Sequence, residues 1–284
     1  MTVLLALSSS LLWGVADFLG GKVSRGRSTI AVVLLSQTAG LVVAFVVAAA
    51  AGSFADPAGY VPWAVGAGLA GASAVLLFYR ALAIGTMGVV APVAALGVII
   101  PVVLGVFGGV MPSALCVVGI VWAIGGVVAT ARPAESASRA GQHTRSIVLA
   151  VAAACGFGLL QYAISGGAAY STVMTMLVMR CTSVPLLALV LVLARRGRHG
   201  AAGGFPPRVV LLVAVIGVFD VGANLLFAVA TVSGALPVVA VLGSLYPAAT
   251  VLLARVVDHE TMSRSQNVGV VVALTGVAMI AAGS

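Results

Sequence analysis

Charge is what this sequence has least of. Only 7% of its 284 residues are Asp, Glu, Lys or Arg, while 62% are hydrophobic and the mean hydropathy is +1.25. A soluble domain carries roughly a quarter of charged residues to cover its surface, so a soluble fold is excluded. No long polar stretch leaves room for a nucleotide-binding domain, and no Gly-rich loop runs into Lys-Ser/Thr. Both absences exclude an ATP-driven pump. The three cysteines, Cys116, Cys155 and Cys181, lie in separate apolar runs without CxxC spacing. They read as small packing residues, not as a disulfide or metal set. The three histidines fall between the apolar runs, with no metal-ligand cluster and no Ser/His/Asp set. An enzyme is therefore not expected, and neither is a cofactor.

What remains is apolar runs of about 20 residues, each long enough to cross a bilayer as a helix. They do not alternate apolar and polar residues as barrel strands would. The expected fold is all-α and polytopic, with ten transmembrane helices near 3–21, 29–51, 61–83, 86–110, 113–131, 147–169, 171–194, 208–232, 234–257 and 264–282. The longest connection, "RPAESASRAGQHTRS" at 132–146, reads as a flexible cytoplasmic linker between a first five-helix unit, 1–131, and a second, 147–284. Runs such as "GAGLAGAS" at 66–73 supply small residues at packing spacing.

The net charge of +8 does not point to nucleic acid, because the basic residues are sorted by side. With the N-terminus outside, the inner loops and helix ends hold Lys22, Arg25, Arg27, Arg80, Arg132, Arg139, Arg145, Arg195, Arg196, Arg198, Arg208, Arg255 and Arg264, and the outer loops hold no Lys or Arg. The positive-inside rule then puts both termini on the extracytoplasmic side of an inner membrane. No basic residue precedes the first apolar run, so it reads as a span and not as a cleavable signal peptide.

The two halves match each other in order. "STIAVVLLSQ" at 28–37 aligns with "STVMTMLVMR" at 171–180, "LLFYRALAIG" at 76–85 with "LLFAVATVSG" at 225–234, and "LGVIIP" at 96–101 with "LGSLYP" at 242–247. Gly119 and Gly126 align with Gly269 and Gly276, and Trp13-Gly14 with Phe157-Gly158, which sets Asp17 opposite Gln161. The offset stays between 143 and 150. Five spans is an odd number, so the second unit lies upside-down relative to the first. Inverted repeats of this kind are characteristic of secondary transporters.

The pattern "LLWGVADFLGGK", an Arg inside the seventh span and "VVAVLGSLYPAATVLLARVVDHETMSRSQNVGVVVALTGVAMIA" from 238 resemble the ten-helix EamA-type members of the drug/metabolite transporter superfamily. In that family the ninth span ends in an Arg followed by a Gly-Glu pair. Arg255 and Glu260 match it, His259 replaces the Gly, and Val110 stands where the first half would carry its Glu. The resemblance implies export of amino acids, other metabolites or drugs, driven by an ion gradient or by exchange.

Charged and polar groups at membrane depth are costly and so mark cavities or partners. Arg180 and Asp220 lie at matching depths in spans seven and eight, either as a structural ion pair or as a site in which Arg180 binds a substrate carboxylate. Asn224 shares the Asp220 face, one turn on. Gln37 and Gln161 are further candidate cavity liners, as are Trp13 and Tyr246, whose polar tips need partners at mid-depth; Tyr79 and Tyr162 are likewise apolar bodies with a polar tip. Arg80 reads as an interfacial anchor. Asp17 lies about 6 Å inside the inner end of span one at 1.5 Å per residue. It either pairs with Lys22 or another helix and fixes the inner end of span one, or is a gate and proton-coupling residue, with Gly14 leaving room beside it. The expected function is a secondary carrier exporting a small organic solute, amino acid-like or otherwise amphipathic, with protons as the candidate coupling ion. An importer of the same architecture and a multidrug efflux carrier are the alternatives.

Overall fold

The computed structural model describes residues 2–107, 113–130, 137–195, 205–233, 239, 242–243 and 245–283. Among them every regular element is helical. The helices are α1 (Thr2–Arg25), α2 (Thr29–Ala51), α3 (Val61–Ile84), α4 (Met87–Ala95), α5 (Ile99–Phe107), α6 (Ala114–Thr130), α7 (Ala137–Ala168), α8 (Thr172–Arg195), α9 (Pro207–Ser233), α10 (Tyr246–Val257) and α11 (Arg264–Ala282). In lipid a backbone must satisfy its own polar groups, and these apolar runs do so as helices.

Six of the described helical stretches are long and apolar enough to cross a membrane: Thr2–Arg25, Thr29–Ala51, Ala58–Ile84, Gly141–Ala168, Thr172–Arg195 and Pro207–Val232. The other four expected spans correspond to shorter apolar helices. Span four is divided into α4 and α5 by a 3-10 turn at Leu96–Val98. Pro92 lies inside α4 and Pro101 inside α5, and each lacks the N–H that a continuous helix needs. Of span nine, the described helix is α10; Pro237 and most of the half before Tyr246 lie outside the described residues, as does Val110.

One expectation changes. Residues 137–146, read as part of a flexible linker, form the opening turns of α7, a helix of 32 residues. Ala, Arg and Gln there are good helix formers, and no proline follows Pro133 in the segment. Ser146 is fully buried, and a Cβ on Gly85 would meet it at 2.6 Å, so this turn packs against the α3–α4 connection. Residues 132–136 lie outside the described set.

The helices pack in a definite pattern. α1 lies along α9, α3 along α7 and α6 along α11; α2 sits between α8 and α9, and α3 also meets α8. Small residues set the closest approaches. A Cβ on Gly126 would stand 2.3 Å from Ala273 N, and one on Gly276 2.3 Å from Ala123 N, so α6 and α11 meet backbone to backbone. The outward faces carry Leu11, Phe45, Trp122, Leu252 and Val271, all exposed, as a lipid-facing surface requires. Cys155 and Cys181 are also exposed, while Cys116 is buried; all three are free thiols.

Candidate functional site

α8 begins after Ser171, whose Oγ accepts from Met174 N at 3.2 Å and donates to Asp56 Oδ2 at 2.5 Å. This cap ties the α2–α3 connection to the start of α8 and fixes the rotation of the helix. Arg180 then points inward, 3% exposed. Its Nη2 donates to Asp220 Oδ2 on α9 at 2.6 Å, and its Nη1 donates to Gln37 Oε1 on α2. Ser183, one turn along α8, donates to the same Gln37 oxygen at 3.0 Å. Asn224 Nδ2 donates to the Asp220 backbone carbonyl at 2.6 Å and to Oδ1 at 3.2 Å. A polar knot from α2, α8 and α9 thus sits where hydrocarbon surrounds the bundle.

The knot borders two adjoining cavities. The smaller, about 10 Å³, is lined by Gln37, Arg180, Ser183, Asp220 and Asn224. The larger, about 30 Å³, is lined by Trp13, Asp17, Phe157, Gln161, Asp220 and Tyr246. Val75, Leu160 and Asp220 face both. A cavity needs about 10–15 Å³ to hold one water, so the larger has room for polar contents. The residues singled out at membrane depth therefore converge: Trp13, Asp17, Gln37, Gln161, Arg180, Asp220, Asn224 and Tyr246 all line one of the two spaces. Tyr162 does not. It is 37% exposed and stacks edge-on against Trp63, with ring centroids 5.7 Å apart.

Four buried polar atoms of the lining residues have no hydrogen-bond partner among the described residues: Arg180 Nε, Asn224 Oδ1, Gln161 Oε1 and Tyr246 OH. Buried polar groups are nearly always satisfied, so this concentration marks a place for polar contents. Aromatic rings wall the larger cavity. Trp13 stands 5.5 Å from Phe227 and 6.4 Å from Tyr246, and Phe157 stands 6.5 Å from Tyr246 and 5.4 Å from Phe78.

Two readings around Asp17 change. Asp17 is buried and not paired with Lys22, because the Lys22 ammonium binds Asp258. Gly14 does not leave room beside the carboxylate. A Cβ there would stand 2.5 Å from Ala249 Cβ and 2.6 Å from the Tyr246 carbonyl, so Gly14 is where α1 touches α10. Thr250 Oγ1 donates to the Gly14 carbonyl at 3.1 Å in the same contact. Tyr79 OH donates to the Ala16 carbonyl at 3.3 Å, which holds α3 against α1 beside Asp17.

The feature that sequence reasoning missed lies at the basic end of α1. Arg25 Nη1 donates to Asp258 Oδ2 at 3.0 Å, and Lys22 binds the same carboxylate. Arg25 Nη2 also lies 3.6 Å from Glu260 Oε1. Glu260 accepts from Met87 N at 2.9 Å and Gly88 N at 3.0 Å, and so caps the start of α4. A carboxylate at a helix N-terminus satisfies free N–H groups and meets the positive end of the helix dipole. The acidic Asp258 and Glu260, beside the matched Arg255, were the available signal. The cluster joins α1, α4 and the α10–α11 connection. Arg80 is exposed and takes no part in it.

A search among curated proteins finds no match. A solved crystal structure of a protein superposes on 98% of this chain and 95% of its own with a TM-score of 0.69, at 20% identity. That likeness is one of fold. Residues 144–282 match the model of the EamA-like transporter family. The helices and the membrane-depth polar cluster agree with this match: the chain is a multi-pass membrane protein, and its residues 144–282 are similar to the EamA-like transporter family.

Proposed function

We propose that the protein is a secondary carrier that moves a small organic solute across the inner membrane by alternating access, exporting it. The observation that carries this reading is the convergence of Asp17, Gln161, Arg180, Asp220, Asn224 and Tyr246, contributed by both halves of the chain, on two adjoining cavities at membrane depth. A structural ion pair alone has no need of four unpartnered polar atoms beside it.

The packing pattern supports two inverted five-helix repeats, 1–131 and 147–284. Under the sequence match, α1 corresponds to α7, α2 to α8, α3 to α9 and α6 to α11. The contact of α1 with α9 then exchanges with that of α7 with α3, and α2–α9 exchanges with α8–α3. α6 meets α11 through matched glycines: a Cβ on Gly119 would lie 2.8 Å from the Gly276 carbonyl, and one on Gly126 2.7 Å from the Gly269 carbonyl. Rocking one repeat against the other would open the cavities to alternate sides. The Lys22–Arg25–Asp258–Glu260 cluster is the closed inner gate of this conformation, and Asp17, behind it, is the coupling residue for protons. Both termini are extracytoplasmic, on the sidedness of the basic residues.

The experiment is flux into proteoliposomes holding purified protein, screened with labelled amines, amino acids and other small metabolites under an imposed pH gradient. Saturable flux that Arg180→Ala or Asp220→Ala removes supports a carrier. Absence of flux for the whole screen under both gradient directions contradicts it. Sidedness of export separates this reading from an importer of the same architecture and from broad multidrug efflux.

A further inference from the structure

Two helices begin with the same dipeptide, and only one of them has its cap. Ser28-Thr29 opens α2 and Ser171-Thr172 opens α8, within the aligned stretches 28–37 and 171–180. The backbones match as well: Val32 N donates to the Ser28 carbonyl at 3.0 Å, and Thr175 N donates to the Ser171 carbonyl at 3.0 Å. At α8 the start is occupied. Ser171 Oγ accepts from Met174 N at 3.2 Å and donates to the Asp56 carboxylate at 2.5 Å, so an anion stands at the positive end of that helix. At α2 Ser28 is exposed and makes no side-chain cap. Asp258 and Glu260, which reach the same end of the bundle, are held by Lys22, Arg25 and the start of α4.

What surrounds the uncapped start is a set of donors. α9 begins beside it, because the Arg27 guanidinium lies over the Phe205 ring, 5.1 Å from its centroid and two residues before α9. Arg208, in the first turn of α9, is exposed. Neither Arg27 nor Arg208 has an ion-pair partner among the described residues. Thr29 is 6% exposed, and its Oγ1 has no hydrogen-bond partner among the described residues. A Cα–Cβ bond in a helix tilts toward the N-terminus, so this side chain leans to the uncapped end. Buried hydroxyls are nearly always satisfied. Free helix N–H groups, this hydroxyl and two guanidinium groups together call for the oxygens of an anion.

The position decides what carries that anion. The site lies at the end of two helices long enough to cross a membrane, Thr29–Ala51 and Pro207–Val232. Val210 and Leu211 follow Arg208 on α9 and are 43% and 68% exposed, so an acyl chain can lie along them while its phosphate reaches the arginines. Arginine binds phosphate through two parallel N–H donors, and basic residues beside a span attract anionic headgroups. We infer that the start of α2, with Arg27 and Arg208, binds the headgroup phosphate of an anionic phospholipid. The phosphate takes at α2 the place that the Asp56 carboxylate takes at α8. The site does not depend on transport, and its test leaves the carrier reading untouched.

The test is native mass spectrometry of the purified, delipidated full-length protein in detergent. The probes are phosphatidylglycerol, phosphatidylcholine with the same acyl chains, and glycerol 3-phosphate as the headgroup anion without chains. Phosphatidylglycerol is expected to bind at least about tenfold more tightly than phosphatidylcholine, and glycerol 3-phosphate should not displace it. Arg27→Gln and Arg208→Gln should each weaken phosphatidylglycerol by about fivefold. Ser28→Asp ties a carboxylate to the helix start, as Asp56 does at α8. It should weaken the lipid by a similar factor, while the melting temperature of the lipid-free protein is kept or raised because a cap is gained. Arg264→Gln is the control: it removes one charge from an exposed position at the start of α11 and should leave the affinity within about twofold. If Ser28→Asp does not give a monodisperse protein, the two arginine variants and the control decide the matter. Equal affinity for the two lipids, or an equal loss in Arg264→Gln, would show a diffuse basic surface and overturn the inference. Displacement by glycerol 3-phosphate at the concentration of the lipid would make this a site for dissolved phosphate and overturn it as well.

Discussion

Gln37 and Arg180 occupy the same place in the two aligned halves, and in the folded chain Arg180 donates a hydrogen bond to Gln37. Ser183 donates to the same oxygen at 3.0 Å, so Gln37 is the acceptor on which α8 is hung from α2. Asp17 and Gln161 are a second aligned pair, and both line the larger cavity. Residues that match in sequence thus meet at the centre of the bundle, where a pathway between two repeats would lie.

The Arg180–Asp220 pair is predicted to behave as one unit. Arg180→Ala leaves a carboxylate uncompensated at depth, and Asp220→Ala leaves a guanidinium. Each should destabilise the protein by about 3–5 kcal/mol, the usual result of breaking a buried pair. The double variant should lose markedly less than the sum. Thermal unfolding of the four proteins in detergent checks this, and strictly additive losses would show that the groups are not coupled.

The inner cluster is predicted to act as a latch. Glu260→Ala removes the acceptor for Met87 N and Gly88 N, and helix-cap losses run at about 0.5–2 kcal/mol. In the two-state account that shifts the population toward the inward-open form by roughly tenfold per 1.4 kcal/mol. With the native cysteines replaced, a Cys placed at Ser24, a buried position near the basic end of α1, should be labelled faster by a water-soluble maleimide in the Glu260→Ala background. An unchanged labelling rate would count against a gate.

The α6–α11 contact is predicted to tolerate no side chain. Gly276→Leu must displace the Ala123 backbone, which a Cβ would already meet at 2.3 Å. Overpacking of this kind costs about 1–3 kcal/mol, and more where backbone is the obstacle. Gly125, on α6 of the same helix pair but with nothing within 4 Å of a Cβ, is the control. Gly125→Leu should leave the melting temperature close to that of the parent, and a loss equal to that of Gly276→Leu would show that the α6–α11 contact is not the cause.

Much of this was legible in the sequence, for a physical reason. Polar residues are so expensive in hydrocarbon that few are present, and those few mark the interior. Trp13, Asp17, Gln37, Gln161, Arg180, Asp220, Asn224 and Tyr246 could be picked out on that ground alone. Their partners could not. Lys22 is five residues from Asp17 in sequence, yet it binds Asp258, because that carboxylate arrives from the α10–α11 connection. The role of Gly14 also depends on a distant helix, since only the approach of α10 decides whether a missing side chain makes a space or a contact. In the 132–146 segment polarity points to a linker, while its helix formers decide the structure from residue 137 onward. Residues 137–146 continue α7, and Ser146 finds a buried place beside Gly85.

Topology gives a separate prediction. The sorting of basic residues puts the C-terminus outside the cytoplasm. A C-terminal alkaline phosphatase fusion should be active and a C-terminal green fluorescent protein fusion dark. The reverse pattern would invert the assignment of inner and outer ends and move the Lys22–Asp258 gate to the other face.

The most direct measurement of alternating access uses Gln161→Cys on a background without other cysteines, reconstituted in oriented proteoliposomes. Gln161 lines the larger cavity and its Oε1 has no partner among the described residues, so the substitution costs little of the fold. A membrane-impermeant maleimide is added from one side and then, in a separate sample, from the other. The account predicts labelling from both sides, with Glu260→Ala raising the rate from the gated side and lowering it from the opposite one. Labelling from one side only, unmoved by Glu260→Ala, would contradict it.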